Sequence, residues 1–210
     1  MREATVAAVL TSAPMPLRGP FLSGALGSTS SLNAILRWVK GGAGEGDPVV
    51  VLGPLWLGVT LAAELRVVML VAIDDHAAVK RARRRAHKAG RAFEIAVGGA
   101  EVPLRPRSVG TMVVENAAGL DAVAAARWIE ALVPSLRPGG RLIAADATAD
   151  VAAMARLSGT FLSASLVGLT QEQPRDGVVL TVAQAPDARV MAARYAPAAA
   201  PASGPNLASG

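Results

Sequence analysis

The chain has 210 residues, 52% hydrophobic but only 3% aromatic, and a formal net charge of +5. That length supports one domain with its own core, which must be built from Ala, Val and Leu rather than from rings. It has no cysteine and only two histidines, His76 and His87, which excludes disulfides, thiolate sites and cysteine nucleophiles and argues against a zinc or non-haem iron enzyme.

Residues 1–29 are mixed, and Pro14, Pro16 and Pro20 interrupt any helix, so an irregular arm is predicted there. Ser30 or Ser31 suits the N-cap of a helix in which Leu32, Ile35, Leu36 and Val39 recur at helical spacing, closed by Gly41 and Gly42. Residues 49–52, between Pro48 and Gly53, have the all-apolar pattern of a strand buried on both faces. A regular alternation follows. It runs through a helix at 57–65, a strand at 67–73, a helix at 75–89 closed by Gly90, and strands at 93–97 and 111–114. Asp121 caps a helix predicted to run to Leu136, and Pro138, Gly139 and Gly140 lead into a strand at 141–145. The end changes character: a helix at 149–157, then strands at 161–169 and 178–183 joined across a short polar loop with Asp176-Gly177 as its turn signal, hence antiparallel. Residues 187–195 suit a last helix, and the Ala, Pro, Ser and Gly of 196–210 predict a disordered tail.

Strands alternating with helices imply a three-layer α/β domain over 30–195: a mostly parallel seven-stranded sheet, helices on both faces, and a C-terminal antiparallel hairpin. No apolar run reaches the roughly 18–20 residues needed to span a bilayer. Residues 5–13, behind Arg2 and Glu3, are too weakly apolar for a signal peptide, so the chain reads as cytoplasmic.

Three segments carry a family resemblance. LVPSLRPGGRLIAAD, ending at Asp146, resembles the helix–turn–strand segment of class I S-adenosylmethionine (SAM)-dependent methyltransferases. VGGAEVPLRPRSVGTMVVENA, ending at Ala117, is similar to that family's third and fourth strands, and the stretch from Val71 to Arg83 is similar to its second strand and following helix. The resemblance spans about residues 30–185 and implies the Rossmann-like methyltransferase fold, with SAM as the expected cofactor.

The positions that would touch that cofactor depart from the family pattern. The family's first loop is an acid followed by G-x-G-x-G, whose glycines let the backbone approach the ligand. Here the acidic position is Val51, Gly53 matches the first glycine, Leu55 and Leu57 replace the others, Trp56 falls between them, and Gly58 is out of register. Leucines there are expected to crowd the cofactor's space, and Trp56 to plug it. The ribose-binding acid aligns with Ala72, with Asp74 two residues on; the adenine-binding Asp aligns with Gly99, with Ala100 and then Glu101 beyond it. Thr111 stands where the fourth strand often begins with Asp. Each lost polar contact costs about 1–3 kcal/mol, so losing both acids weakens SAM binding on the order of 10²–10⁴-fold. SAM binding is therefore expected to be weak or absent, and no metal is expected.

Glu115 and Asn116, just after the fourth strand, sit where relatives place substrate or catalytic groups, although Asn after a strand is also ordinary turn chemistry. No catalytic residue can be assigned. The basic stretch 80–91 reads as the solvated face of a helix with a narrow alanine stripe beneath; its alternative is a nucleic-acid or anion-binding patch, weakened by the lack of aromatic residues for stacking. Trp38 and Trp128 read as packing residues. The leading expectation is a non-catalytic methyltransferase-like scaffold or regulatory partner that binds a protein or a second copy of itself. The first alternative is an active methyltransferase using Asp74 and Glu101 as displaced contacts, and the second an RNA- or anion-binding module. A dinucleotide oxidoreductase is disfavoured because the first loop lacks G-x-G-x-x-G.

Overall fold

The computed structural model describes residues 29–42, 47–52, 55–62, 65–72, 76–88, 94–98, 104–147, 150–174 and 178–187. In chain order the elements are α1 (Thr29–Gly42), β1 (Val49–Leu52), α2 (Leu55–Leu61), β2 (Val67–Ala72), α3 (His76–Lys88), β3 (Glu94–Gly98), β4 (Val109–Glu115), α4 (Ala122–Leu132), β5 (Leu136–Asp146), α5 (Val151–Ser163), β6 (Val167–Glu172) and β7 (Val179–Gln184). The strands form one sheet in the order β3-β2-β1-β4-β5-β7-β6. β1 to β5 pair in parallel, and β7 is antiparallel to both β5 and β6. Chain order reverses between β1 and β4, which is where an open α/β sheet leaves a crevice beyond its strand ends.

Consecutive strand residues point to opposite faces, and both faces are covered, so the inner strands are mostly apolar, with Thr111, Asp146 and Thr181 as buried polar exceptions. Val49, Val51, Val113, Ile143, Ala145, Leu180 and Val182 form one core with Ala34, Ile35 and Val39 of α1 and Leu57 and Leu61 of α2. Val50, Leu52, Met112, Val114, Leu142, Ala144 and Ala183 form the other with Ile129 and Leu132 of α4 and Met154, Leu157 and Phe161 of α5. The helix α1 is also tied to the sheet by polar groups. The Trp38 indole N–H donates to Glu172 at 2.8 Å, Arg37 pairs with the same carboxylate, and Arg141 donates to the Trp38 carbonyl at 2.8 Å with its guanidinium 5.4 Å from the indole centre. The hydrogen bond from Arg37 holds the Glu172 carboxyl below its ordinary value.

Several boundaries differ from those read in the sequence. α1 begins at Thr29, so Ser30 and Ser31 lie inside its first turn and neither is its cap. α2 begins at Leu55 rather than Leu57. α4 stops at Leu132, because Pro134 opens a 3₁₀ turn over Val133–Ser135. β5 then starts at Leu136 and takes in Pro138, Gly139 and Gly140, which the sequence placed in a turn. The reason is pairing at both edges. Leu136 is in register with Val109 ahead of a bulge, Gly139 donates to the Ala185 carbonyl at 3.0 Å, and Ala185 donates to Gly140 at 2.8 Å. Gly140 is required there: a Cβ would lie 2.8 Å from the Arg137 oxygen and 3.0 Å from that of Val109.

The helix α5 runs to Ser163, so Phe161 is helical and the next strand begins only at Val167. Ala153, Met154, Leu157 and Phe161 are buried at helical spacing, and Asp150 caps the first turn by accepting from Ala152 at 2.9 Å and Ala153 at 3.3 Å. Asp121 caps α4 as its position in the sequence predicts, accepting from Ala124 at 2.8 Å. Of the expected arm at 1–29 only Thr29 is described, and it opens α1 instead; the tail at 196–210 and all but Asp187 of the expected last helix lie outside the described residues. No helix among the described residues is long and apolar enough to cross a membrane.

Candidate functional site

At the C-terminal edge of the sheet the two halves of the crevice differ in chemistry. On the β1 side, Val51 is fully buried in the α1/α2 core and Leu52 in the α4/α5 core. The position the family fills with an acid is thus a core position here. On the β4–β5 side the register sets Glu115 level with Ala145, so Asn116 and Asp146 follow together at the strand ends.

Asp146 is the most perturbed group of this edge. Leu142 and Ala144 face α4 and α5, and Asp146 continues their row. It is fully buried, and its Oδ1 accepts from the Ala118 amide at 2.7 Å, which fastens the β4–α4 loop down onto β5. Its Oδ2 is buried and has no hydrogen-bond partner among the described residues. Burial pushes the carboxyl up to about 6, and the Ala118 hydrogen bond opposes this only in part. Removing a carboxylate from water disfavours its charged form, so a group that would be ionised at the surface titrates near neutrality. Sequence reasoning missed it as a site residue. The only local signal was an acid directly after the apolar run Leu142–Ala145, and its burial is set by the distant Ala118 amide.

Asn116 adopts φ 57°, the left-handed region that Asn tolerates better than most residues, and its amide donates to the Ala145 carbonyl at 2.9 Å. Its side chain folds over Gly119, where a Cβ would come within 2.5 Å of Asn116 Oδ1. The left-handed Asn116 and the close-lying Gly119 form a tight turn at the end of β4. Glu115 is half-buried at the end of β4.

The structure brings Glu115 and Asn116 together and sets Ala72 two strands away, at the end of β2. Leu55 and Trp56 occupy the first turn of α2, and Gly58 is buried further along the same helix, accepting from the Ala62 amide at 2.9 Å, so it is not a loop residue. Leu57 corrects a further expectation: it does not crowd the crevice but is fully buried, at 0% accessibility, in the core with Val49, Val51 and Leu61. Gly53, Asp74, Gly99, Ala100 and Glu101 lie outside the described residues. Trp38 and Trp128 both pack: Trp128 lies against the α4/α5 core and lines a small apolar cleft with Val114, Leu120 and Phe161. Among the described residues no three His, Asp or Glu side chains converge as they would around a metal ion.

No family model matches the sequence, and no curated protein matches it. Solved structures do. The chain is similar to the SAM-dependent methyltransferase SibL, at 14% identity and a TM-score of 0.60 over 75% of this chain and 55% of SibL. A geranyl diphosphate methyltransferase solved with SAM matches at 16% identity and a TM-score of 0.53, over 80% of this chain and 96% of that one. A chain of a Haloferax volcanii complex with the Trm112 methyltransferase activator matches at 18% identity and a TM-score of 0.53, over 67% and 83% of the two chains. The fold is that of class I methyltransferases. This chain spans only about half the length of several of the methyltransferases it matches, 55% in the case of SibL.

Proposed function

We propose that this is a methyltransferase-like domain whose SAM crevice no longer serves catalysis, and that it acts as a scaffold or regulatory partner for another protein chain. The observation that carries the reading is Val51. The residue aligned with the family's first-loop acid is at 0% accessibility, packed between α1, α2 and the neighbouring strands. Restoring an acid there would bury an unpaired charge, at a cost of several kcal/mol. The replacement is thus built into the core rather than confined to the surface of a pocket. With Ala72 at the end of β2, neither described position on the cofactor side offers a carboxylate to a ribose. One structural neighbour is a methyltransferase in complex with an activator protein, which supports a reading in which a chain of this fold works beside a partner. Incubation with radiolabelled SAM and a panel of small-molecule and protein acceptors should give no enzyme-dependent methyl transfer. Turnover of any acceptor would overturn the proposal.

Asp146 favours a second reading, a working methyltransferase with a divergent pocket. A buried carboxylate with one uncommitted oxygen beside the crevice suits a base for a nucleophile that carries a proton. Asp74 and Glu101 would then be the cofactor contacts. If D74A and E101A leave SAM affinity unchanged, that reading fails.

A further inference from the structure

The charge of this chain is unevenly placed. α3 holds six of the 21 lysines and arginines (Lys80, Arg81, Arg83, Arg84, Arg85 and Lys88) and none of the 16 acids, so the rest of the chain has 15 cations against 16 anions. The whole net charge of +5 therefore resides on a single helix of 13 residues.

The helix presents that charge outward. Lys80, Arg83, Arg84, His87 and Lys88 are all exposed. Lys80, Arg84 and Lys88 recur every fourth residue and form one row with steps of about 6 Å along the axis; Arg83 and His87 form a second row beside it. Like charges at i,i+4 destabilise a helix by a few tenths of a kcal/mol per pair, and α3 has no acid to relieve them. A helix that served only to cover β3 and α2 would gain from alternating signs on its solvent face. A one-signed face is instead what a polyanion needs.

We infer that the exposed face of α3, through Lys80, Arg83, Arg84 and Lys88, docks the sugar–phosphate backbone of a nucleic-acid duplex. Regularly spaced phosphates match regularly spaced cations, and arginine adds forked donors that suit phosphate oxygens. The described exposed positions carry no Phe, Tyr or Trp on which to stack an unpaired base, which favours a duplex over a single strand. Nor do those described positions carry a large apolar residue, so among them there is neither the wedge of an interfacial membrane helix nor the anchor of a protein–protein core. Such binding is independent of base sequence and of the crevice.

The test is fluorescence anisotropy of the full chain with labelled 20-base-pair RNA and DNA duplexes across a salt series. Four phosphate contacts predict a log–log slope near −3.5 for DNA. The K80Q/R84Q/K88Q variant should flatten the slope to about −1 and lower affinity on the order of 100-fold near 0.1 M salt. R105Q/R107Q, which removes two exposed cations elsewhere, should leave the slope unchanged. Within α3 the triple variant relieves like-charge pairs, so its melting temperature should not fall, and an unchanged melting temperature shows that lost binding is not unfolding. RNA and DNA arms separate A-form from B-form preference, and either preference supports the assignment. A slope shallower than −1 for the unaltered chain, an unaffected triple variant, or an equal loss in the R105Q/R107Q control would overturn it. So would tighter binding to phosphatidylserine vesicles or to poly-glutamate than to either duplex.

Discussion

Asp146→Asn separates the charge of the buried carboxylate from its role as a latch. The folded-state value is pushed up to about 6, against about 3.9 for an unperturbed aspartate. Two pH units correspond to about 3 kcal/mol of linkage. The sign follows from proton counts. Between pH 4 and pH 6 the native state holds the Asp146 proton while the unfolded chain has released it. Stability from this group is therefore greatest below pH 4, falls as pH rises through 4 to 6, and is lost by about 3 kcal/mol above pH 7. Asn keeps an oxygen to accept from Ala118 but never ionises. It also brings an amide N–H₂ into a buried site, at a pH-independent cost of about 1–3 kcal/mol. The informative quantity is therefore the difference between the two chains at each pH. Urea unfolding at pH 4, 6 and 8 should show D146N gaining about 3 kcal/mol on the parent between the extremes, most of it below pH 7. Parallel stability profiles would refute the placement of Asp146 as a desolvated carboxylate.

Leu57→Ala should destabilise by about 2–5 kcal/mol, read from urea unfolding, and should not create SAM binding; a mild effect with a newly formed ligand site would return Leu57 to the crevice. Gly140→Ala forces a methyl against three backbone oxygens that cannot yield, so the melting temperature should drop by several degrees, equivalent to about 2 kcal/mol. At Asn116, with φ 57°, the Gly variant should be about 1 kcal/mol more stable than the Ala variant, and the reverse order would contradict the left-handed turn.

The fold was legible where apolar runs were bracketed by breakers. Residues 49–52 lie between Pro48 and Gly53, and β1 has those same bounds. It was least legible where an apolar run fitted either period. Phe161 and Leu162 suit a strand by composition, but helical burial of Leu157 and Phe161 decides for α5, and periodicity alone cannot arbitrate such short runs. The glycines at 139 and 140 pointed to a turn because the partner that keeps them in a strand, Ala185, lies more than forty residues away in sequence. In the site, the replaced residue types were readable but their burial was not. Val51 and Leu57 both read as altered pocket residues, and only packing shows them as core. Asp146 was hidden for a related reason, since nothing local tells whether a strand-end acid meets water or an amide at Ala118.

The central claim, that the crevice no longer serves SAM, is tested most directly by calorimetric titration of the full chain with S-adenosylhomocysteine and with SAM. No saturable heat at millimolar ligand is the predicted result, and it would direct work to protein partners. A micromolar dissociation constant for either ligand would contradict the claim and make Asp146 the first residue to test for catalysis.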